Sequence, residues 1–306
     1  MQKSVGAGGD LGPNLASRRR FMAGAGLATL GGLFGGPAFG VVNQLAGGTD
    51  LGEKQLTAND INVLNFALNI EYLGAEFYLR AVTGQGLPSS DVIGQGNLGG
   101  VQGGSAVQFR TPTGRQIAEE IAFNESSHVR FLRTVLGPSA VARPPIDLEQ
   151  GFTMAAQMAG LIGPGETFNP FADEVSFWVG AFMFEDVDVT AYKGSARLLT
   201  DPFILEAAAG ILAVEGYHAG SIRTMLYQMG EFRRTRAISI LRDQADGPGD
   251  RDQPIRLRGG DANIVPTDNN GIAYSRTPEQ VLNIVYLGGA PANFGFFPER
   301  VNGAIR

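Results

Sequence analysis

Glu215-Gly216-Tyr217-His218 is the stretch on which the reading of this chain turns. Its spacing recurs earlier as Glu125-Ser126-Ser127-His128, and these hold the 2 histidines of a 306-residue sequence. On a helix, positions i and i+3 share a face, so each pair aims a carboxylate and an imidazole the same way. With 15 glutamates in 306 residues, both histidines would have a glutamate three positions before them in about one chain in 400. Two such pairs facing each other have the donors for a pair of metal ions. The question is whether the chain builds helices around them and supplies further carboxylates.

Working outward from these stretches, capping and periodicity signals predict four long helices. Thr57-Ala58-Asn59-Asp60 has capping-box spacing and starts helix one. It runs to about Val82 on a stripe of Leu64, Leu68, Glu71, Ala75 and Tyr78, and Gly84 ends it. Residues 84–112 read as a long Gly-, Ser- and Gln-rich loop. Thr113-Gly114-Arg115-Gln116 opens helix two, which Gly137-Pro138 stops after Leu136. The long connection 137–169 carries a shorter helix from Asp147 to about Leu161. Asn169-Pro170 opens helix three, running to about Leu199, and Asp201-Pro202 opens helix four, running to Met229. Each long helix has about 25 residues, or ~38 Å by helical rise. Residues 230–306 begin with Arg233, Arg234 and Arg236, turn Gly-, Asp- and Asn-rich, and hold one short capped helix from Thr277 to about Leu287. They read as an extension packed on the bundle.

The helices supply the missing acids. Helix one carries Glu71 within Asn69-Ile70-Glu71-Tyr72-Leu73, and helix three carries Glu185 within Phe182-Met183-Phe184-Glu185. Glu76, five residues beyond Glu71, lies about 140° around the helix, so only one of the two can face the centre; the apolar stripe selects Glu71. The predicted ligand set is Glu71, Glu125, His128, Glu185, Glu215 and His218, all near mid-helix. Asp188 and Tyr192 share the face of Glu185, as outer partners of the ligands or as rim and core residues; Trp178 reads as core. Tyr72 and Tyr217 adjoin ligands in sequence and so point away. Burying four carboxylates together without cations costs several kcal/mol apiece, which makes metal the economical explanation. Carboxylate and imidazole donors without sulfur suit two iron or manganese ions, with dioxygen or peroxide as the small-molecule substrate.

Composition bounds the rest. A 43% hydrophobic content supports a sizeable core, and the 44 glycines cluster outside the periodic stretches, as long irregular connections. Cysteine is absent, which excludes disulfides, thiolate metal sites and iron–sulfur clusters. The net charge is -6, with +3 within residues 1–40 and therefore -9 beyond them; an acidic body speaks against nucleic-acid partners. Residues 1–40 resemble a twin-arginine signal peptide. Ser17-Arg18-Arg19-Arg20-Phe21-Met22 precedes a charge-free apolar run, 23–40, that closes on the small-x-small pattern Ala38-Phe39-Gly40. That run is shorter than the ~20 residues needed to span a bilayer. The resemblance implies the twin-arginine export machinery as a partner, a linker over 41–56, a mature protein without a transmembrane span, and a periplasmic or extracellular location.

The order Glu, Glu-x-x-His, Glu, Glu-x-x-His is that of the ferritin-like di-iron and di-manganese carboxylate bundles. Phe184-Glu185-Asp186-Val187-Asp188-Val189-Thr190-Ala191-Tyr192, Arg276-Thr277-Pro278-Glu279-Gln280-Val281-Leu282 and Phe296-Phe297-Pro298 are further similar to the desiccation-related ferritin-like subgroup. The resemblance covers about 57–306. It implies an all-α fold: a ferritin-like antiparallel four-helix bundle over 57–229, with a long crossover between helices two and three, and an irregular C-terminal extension over 230–306. The ligand chemistry points to Fe(II) oxidation or peroxide scavenging; the resemblance implies no particular reaction and adds a role in stress protection. The rival readings are a stress protein with a structural metal and a metal-storage protein.

Overall fold

The computed structural model describes residues 56–288 and 295–306. The twin-arginine motif, the apolar run after it and linker residues 41–55 lie outside them. The fold is an all-α helical bundle. Helix α1 spans Ala58–Thr83 and α2 Pro112–Leu136. The crossover carries α3, Gln150–Met158. Predicted helix three is two helices, α4 over Glu174–Ala181 and α5 over Glu185–Ala196, and α6 spans Pro202–Met229. Two further helices, α7 over Phe232–Ala245 and α8 over Pro278–Val285, belong to the C-terminal extension. Among the described residues, no helix is long and apolar enough to cross a membrane.

Hydrogen bonds at the helix ends fix the topology. Asp60, in the first turn of α1, accepts from the backbone and hydroxyl of Thr200, just before α6. These helices therefore start at the same end. Glu174, in the first turn of α4, accepts from the backbone N–H of Arg110 and Thr111, just before α2. So α2 and the α4–α5 pair both start at the other end and run alike. Chain 137–173 must return along the bundle between them, and the crossover climbs the side of α1. Asn65 binds Ser139 and Val141, the Tyr72 hydroxyl donates to the Val141 carbonyl, and Glu76 pairs with Arg143. This separates the two acids of helix one: Glu76 faces the crossover, where Arg80 and Arg143 neutralise it, and Glu71 is left to the bundle interior.

Several helix starts differ from the sequence expectation. α2 begins two residues early: the Thr111 hydroxyl accepts from the Gly114 N–H, with Pro112 in the first turn. α4 begins four residues late, at N-cap Asp173, because Asn169 closes a turn instead, its side chain accepting from the Phe171 N–H and its carbonyl from the Ala172 N–H. Between α4 and α5, residues 182–184 bond i to i−3 at Met183 and Phe184, a tighter winding. The Arg242 guanidinium donates to the Phe182 carbonyl and lies 4.5 Å from the centre of its ring. The uninterrupted apolar run Phe177–Phe184 gave no sign of this break. Helix α7 was not expected either.

The extension is tied down by charge. Arg223, Arg242 and Arg276 are each at most 1% exposed. Arg223 and Arg242 pair with Asp186, Arg242 and Arg276 share Asp252, and Arg276 also holds Asp246. Three buried cations thus meet three buried anions. Gly194 lets the Arg276 backbone approach α5 so closely that a Cβ there would collide with it. At the chain's end, Asn302 exchanges two hydrogen bonds with Asn69 of α1. Phe77, surrounded by Phe152, Phe171, Phe177 and Phe184 at 5.4–5.6 Å between ring centres, joins α1 to the crossover and α4. Asp268-Asn269-Asn270-Gly271 is a turn in which Asp268 accepts from the N–H groups of Asn270 and Ile272.

Candidate metal centre

The structure brings all six predicted residues into one buried volume, from four different helices. Glu71 comes from α1, Glu125 and His128 from α2, Glu185 from the first turn of α5, and Glu215 and His218 from α6. None is more than 8% exposed. His128 Nδ1 lies 3.3 Å from Glu71 Oε2 and 3.0 Å from Glu215 Oε1. His218 Nδ1 lies 3.5 Å from Glu125 Oε1, 3.4 Å from Glu185 Oε2 and 3.1 Å from Glu215 Oε2. Two overlapping sets result: Glu71, Glu125, His128 and Glu215, and Glu125, Glu185, Glu215 and His218, each with donor atoms within 4.8 Å of one another. Each set pairs one imidazole with one carboxylate of its own, Glu71 or Glu185. Glu125 and Glu215 belong to both.

The fit to metal ions rests on what these atoms lack. Glu71 Oε2, Glu125 Oε1, both oxygens of Glu185, Glu215 Oε1 and His128 Nδ1 are buried and make no hydrogen bond of ordinary geometry, meeting only the imidazole–carboxylate ion-pair contacts within the cluster. Buried polar atoms are ordinarily satisfied, and six such atoms converging on one volume form a donor set that could hold metal ions. Arg143, Arg242 and Arg276 are engaged elsewhere, with Glu76, Asp186, Asp246 and Asp252.

Protons hold the cluster together when cations do not. Burial raises the carboxyl of Glu185 from 4.5 to about 7, against the pull of His218. Burial, reinforced by Glu215 and Glu71, drives Glu125 well above the usual carboxylate range. Glu71 is raised by burial too. Burial also works to discharge the imidazoles, but Glu71 and Glu215 around His128, and Glu185 and Glu215 around His218, hold both well above the ordinary value. Glu215 alone moves down, because the two histidines, His218 foremost, outweigh its burial.

The two outer residues on α5 lie against the cluster. The Tyr192 hydroxyl donates to Glu71 Oε1, which leaves Oε2 turned inward. Asp188 is buried, its Oδ1 has no partner, and burial together with the charge of Glu185 keeps its carboxyl protonated well above the usual range. Trp178 is fully buried, the Tyr72 hydroxyl points to the crossover, and Tyr217 is 79% exposed.

Two contributors escaped the sequence reading. Gly74 sits beside the Glu125 carboxylate, and a Cβ there would collide with Oε2; the signal was a glycine in mid-helix, three residues after Glu71, where it costs about 1 kcal/mol relative to alanine. The Tyr78 phenol is pushed well up by burial and the neighbouring Glu185 charge. It was read only as part of the apolar stripe.

Comparison with known proteins gives the same outline. The profile of the family described as Ferritin-like domain matches residues 59–228. The chain is 29% identical over 272 residues to the Ferritin-like catalase Nec2 of Nesocodon mauritianus, covering 80% of this chain and 84% of that protein. It is 27% identical over 276 residues to the Desiccation-related protein PCC13-62 of Craterostigma plantagineum, covering 82% and 85%.

The shifts fix the sign of a pH effect. Groups raised in the folded state, here Glu185, Glu125, Glu71, Asp188 and both histidines, stabilise it below their unfolded values, and that contribution is lost as pH rises through the folded ones. Metal-free protein is therefore expected to lose thermal stability as pH rises from 4.5 to about 7, the interval over which Glu185 acts. Metal-saturated protein should not follow, since cations replace the protons. Differential scanning calorimetry of both forms against pH is the check, and Glu185→Gln should flatten the metal-free curve.

Proposed function

The chain belongs to the ferritin-like domain family, and on that footing we propose that it is an exported stress-protection protein whose dinuclear iron or manganese site removes hydrogen peroxide. The observation that carries the reading is the convergence of buried carboxylate and imidazole donor atoms that make no hydrogen bond of ordinary geometry. Glu71, Glu125, His128, Glu185, Glu215 and His218 would hold the ions, with Glu125 and Glu215 common to both donor sets. The bound pair supplies a two-electron couple and an electrophilic centre for peroxide oxygen.

The chain's own residues supply the surroundings. Tyr192 holds Glu71 in one orientation through its hydrogen bond to Oε1. In the metal-free cluster, burial and the neighbouring Glu185 charge favour the protonated form of Asp188. Apolar packing by Phe77, Phe184 and Ile121 keeps bulk water from the bundle interior. Disproportionation of two peroxides to two waters and dioxygen balances in electrons and protons without an outside reductant. That suits a chain with no cysteine for a thiolate or iron–sulfur relay. The catalase name of the Nesocodon relative supports the same reaction, and the name of the Craterostigma relative supports a role in desiccation.

Protein loaded anaerobically with Mn(II) or Fe(II) should hold close to two ions per chain and release dioxygen from peroxide at an oxygen electrode. His218→Ala and Glu185→Gln should each lower the rate by at least about 100-fold, as expected for loss of a ligand. Fewer than one ion per chain, or release unchanged in both variants, would sink the proposal. Oxygen uptake by the Fe(II)-loaded protein without peroxide turnover would assign Fe(II) oxidation instead.

The motif Ser17-Arg18-Arg19-Arg20-Phe21 supports delivery through the twin-arginine machinery to the periplasm or beyond. Replacing Arg18 and Arg19 by lysine should leave the protein in the cytoplasmic fraction of a host that has that machinery; unimpaired export would refute this part.

A further inference from the structure

Both imidazoles of the cluster turn Nδ1 towards carboxylates. On the opposite side of the His218 ring, Nε2 lies 3.1 Å from the side-chain amide nitrogen Nδ2 of Asn124. Asn124 is the residue before Glu125 on α2, and it is half-buried at the edge of the cluster. It reaches across to the α6 histidine rather than to its own helix partner, His128. His218 is thus held between Glu215 Oε2 on one nitrogen and Asn124 on the other.

We propose that Asn124 is a positioning residue for the metal-binding form of His218: with its amide turned to present Oδ1, it accepts the Nε2 proton and so commits Nδ1 to the ion. The inference rests on the reading of the cluster as a metal centre. A neutral imidazole that offers the Nδ1 lone pair to a metal carries its proton on Nε2. That proton needs an acceptor, and the Asn124 amide is the side chain within reach. A half-turn about Cβ–Cγ exchanges the amide oxygen and nitrogen without moving the heavy-atom positions, so a protonated Nε2 selects the oxygen. A partner at this position fixes the tautomer and the ring plane, and raises the basicity of the ligating nitrogen. The effect falls on one half of the pair, the half formed by Glu185 and His218. Asn124 touches neither substrate nor metal, so its role is to set affinity and geometry.

The test uses Mn(II) titration calorimetry on the full chain, and 15N-imidazole NMR of the Zn(II)-loaded protein. The 2 histidines make the ring signals few, and His128→Gln assigns them. In the wild type, His218 should show a metal-shifted Nδ1 and a protonated Nε2. Asn124→Ala should weaken one of the two Mn(II) sites by about 10–100-fold, the usual loss for such a partner, and leave the other unchanged. Its His218 Nε2–H signal should exchange with water faster. Asn124→Asp keeps the acceptor and the shape, so it should bind both ions within about threefold of wild type. Equal affinities and unchanged ring signals in Asn124→Ala would overturn the proposal. Equal losses in both variants would overturn it as well, because packing alone would then explain the contact. A wild type that binds no Mn(II) would remove the metal reading itself, whereas a wild type that binds two ions regardless of position 124 would remove only this inference. Thermal midpoints of the metal-free variants show that each is folded.

Discussion

The structure depends on an imbalance of charge. Glu71, Glu125, Glu185, Glu215 and Asp188 share one buried volume with two imidazoles. Five ionised carboxylates cannot stand there against two cations at any reasonable energy, since each unpaired buried charge costs several kcal/mol. Either protons or metal ions must make up the difference. The long helices α1, α2 and α6, which carry Glu71, Glu125, His128, Glu215 and His218 well inside their lengths, the start of α5 at Glu185 rather than the expected mid-helix position, and the glycine opposite Glu125 together bring the donors to one depth.

The other buried charges of the molecule show what a balanced arrangement looks like. Arg223, Arg242 and Arg276 meet Asp186, Asp246 and Asp252 in a shared network of three cations and three anions. Glu76 has Arg80 and Arg143. Those groups need no ion, and they fasten the extension and the crossover to the bundle. Asp186 and Glu185 are neighbours in sequence, yet the first belongs to the balanced network and the second to the unbalanced cluster. The tight winding at 182–184, with Arg242 on the Phe182 carbonyl, is where the chain passes from one to the other. The extension thereby bears on the position of a predicted ligand.

The long helices were legible because their signals are local. Asp201 and Thr277 cap as their sequences imply, and the Glu-x-x-His spacing encodes a shared helix face. Glu71 could be told from Glu76 by the apolar stripe alone. What the sequence hid is decided by tertiary contacts. The run Phe177–Phe184 is apolar all round, so periodicity could not mark the interruption inside it. Helix α7 buries Thr235, Ser239 and Arg242 beside Ile238 and Leu241, and such a mixed face reads as polar chain until the aspartates that meet Arg242 are known. Which carboxylates are shared between the two sets was equally invisible, because it depends on how four helices face one another and not on any spacing within one.

The central claim is that this cluster is built to hold two cations at chosen places. Crystals of the Mn(II)-loaded protein measured near the manganese absorption edge test it most directly. The account predicts two anomalous peaks inside the bundle, one against Glu71 and His128 and one against Glu185 and His218, with Glu125 and Glu215 between them. A map with no peak there, or with one at the surface and none among these six residues, would contradict it.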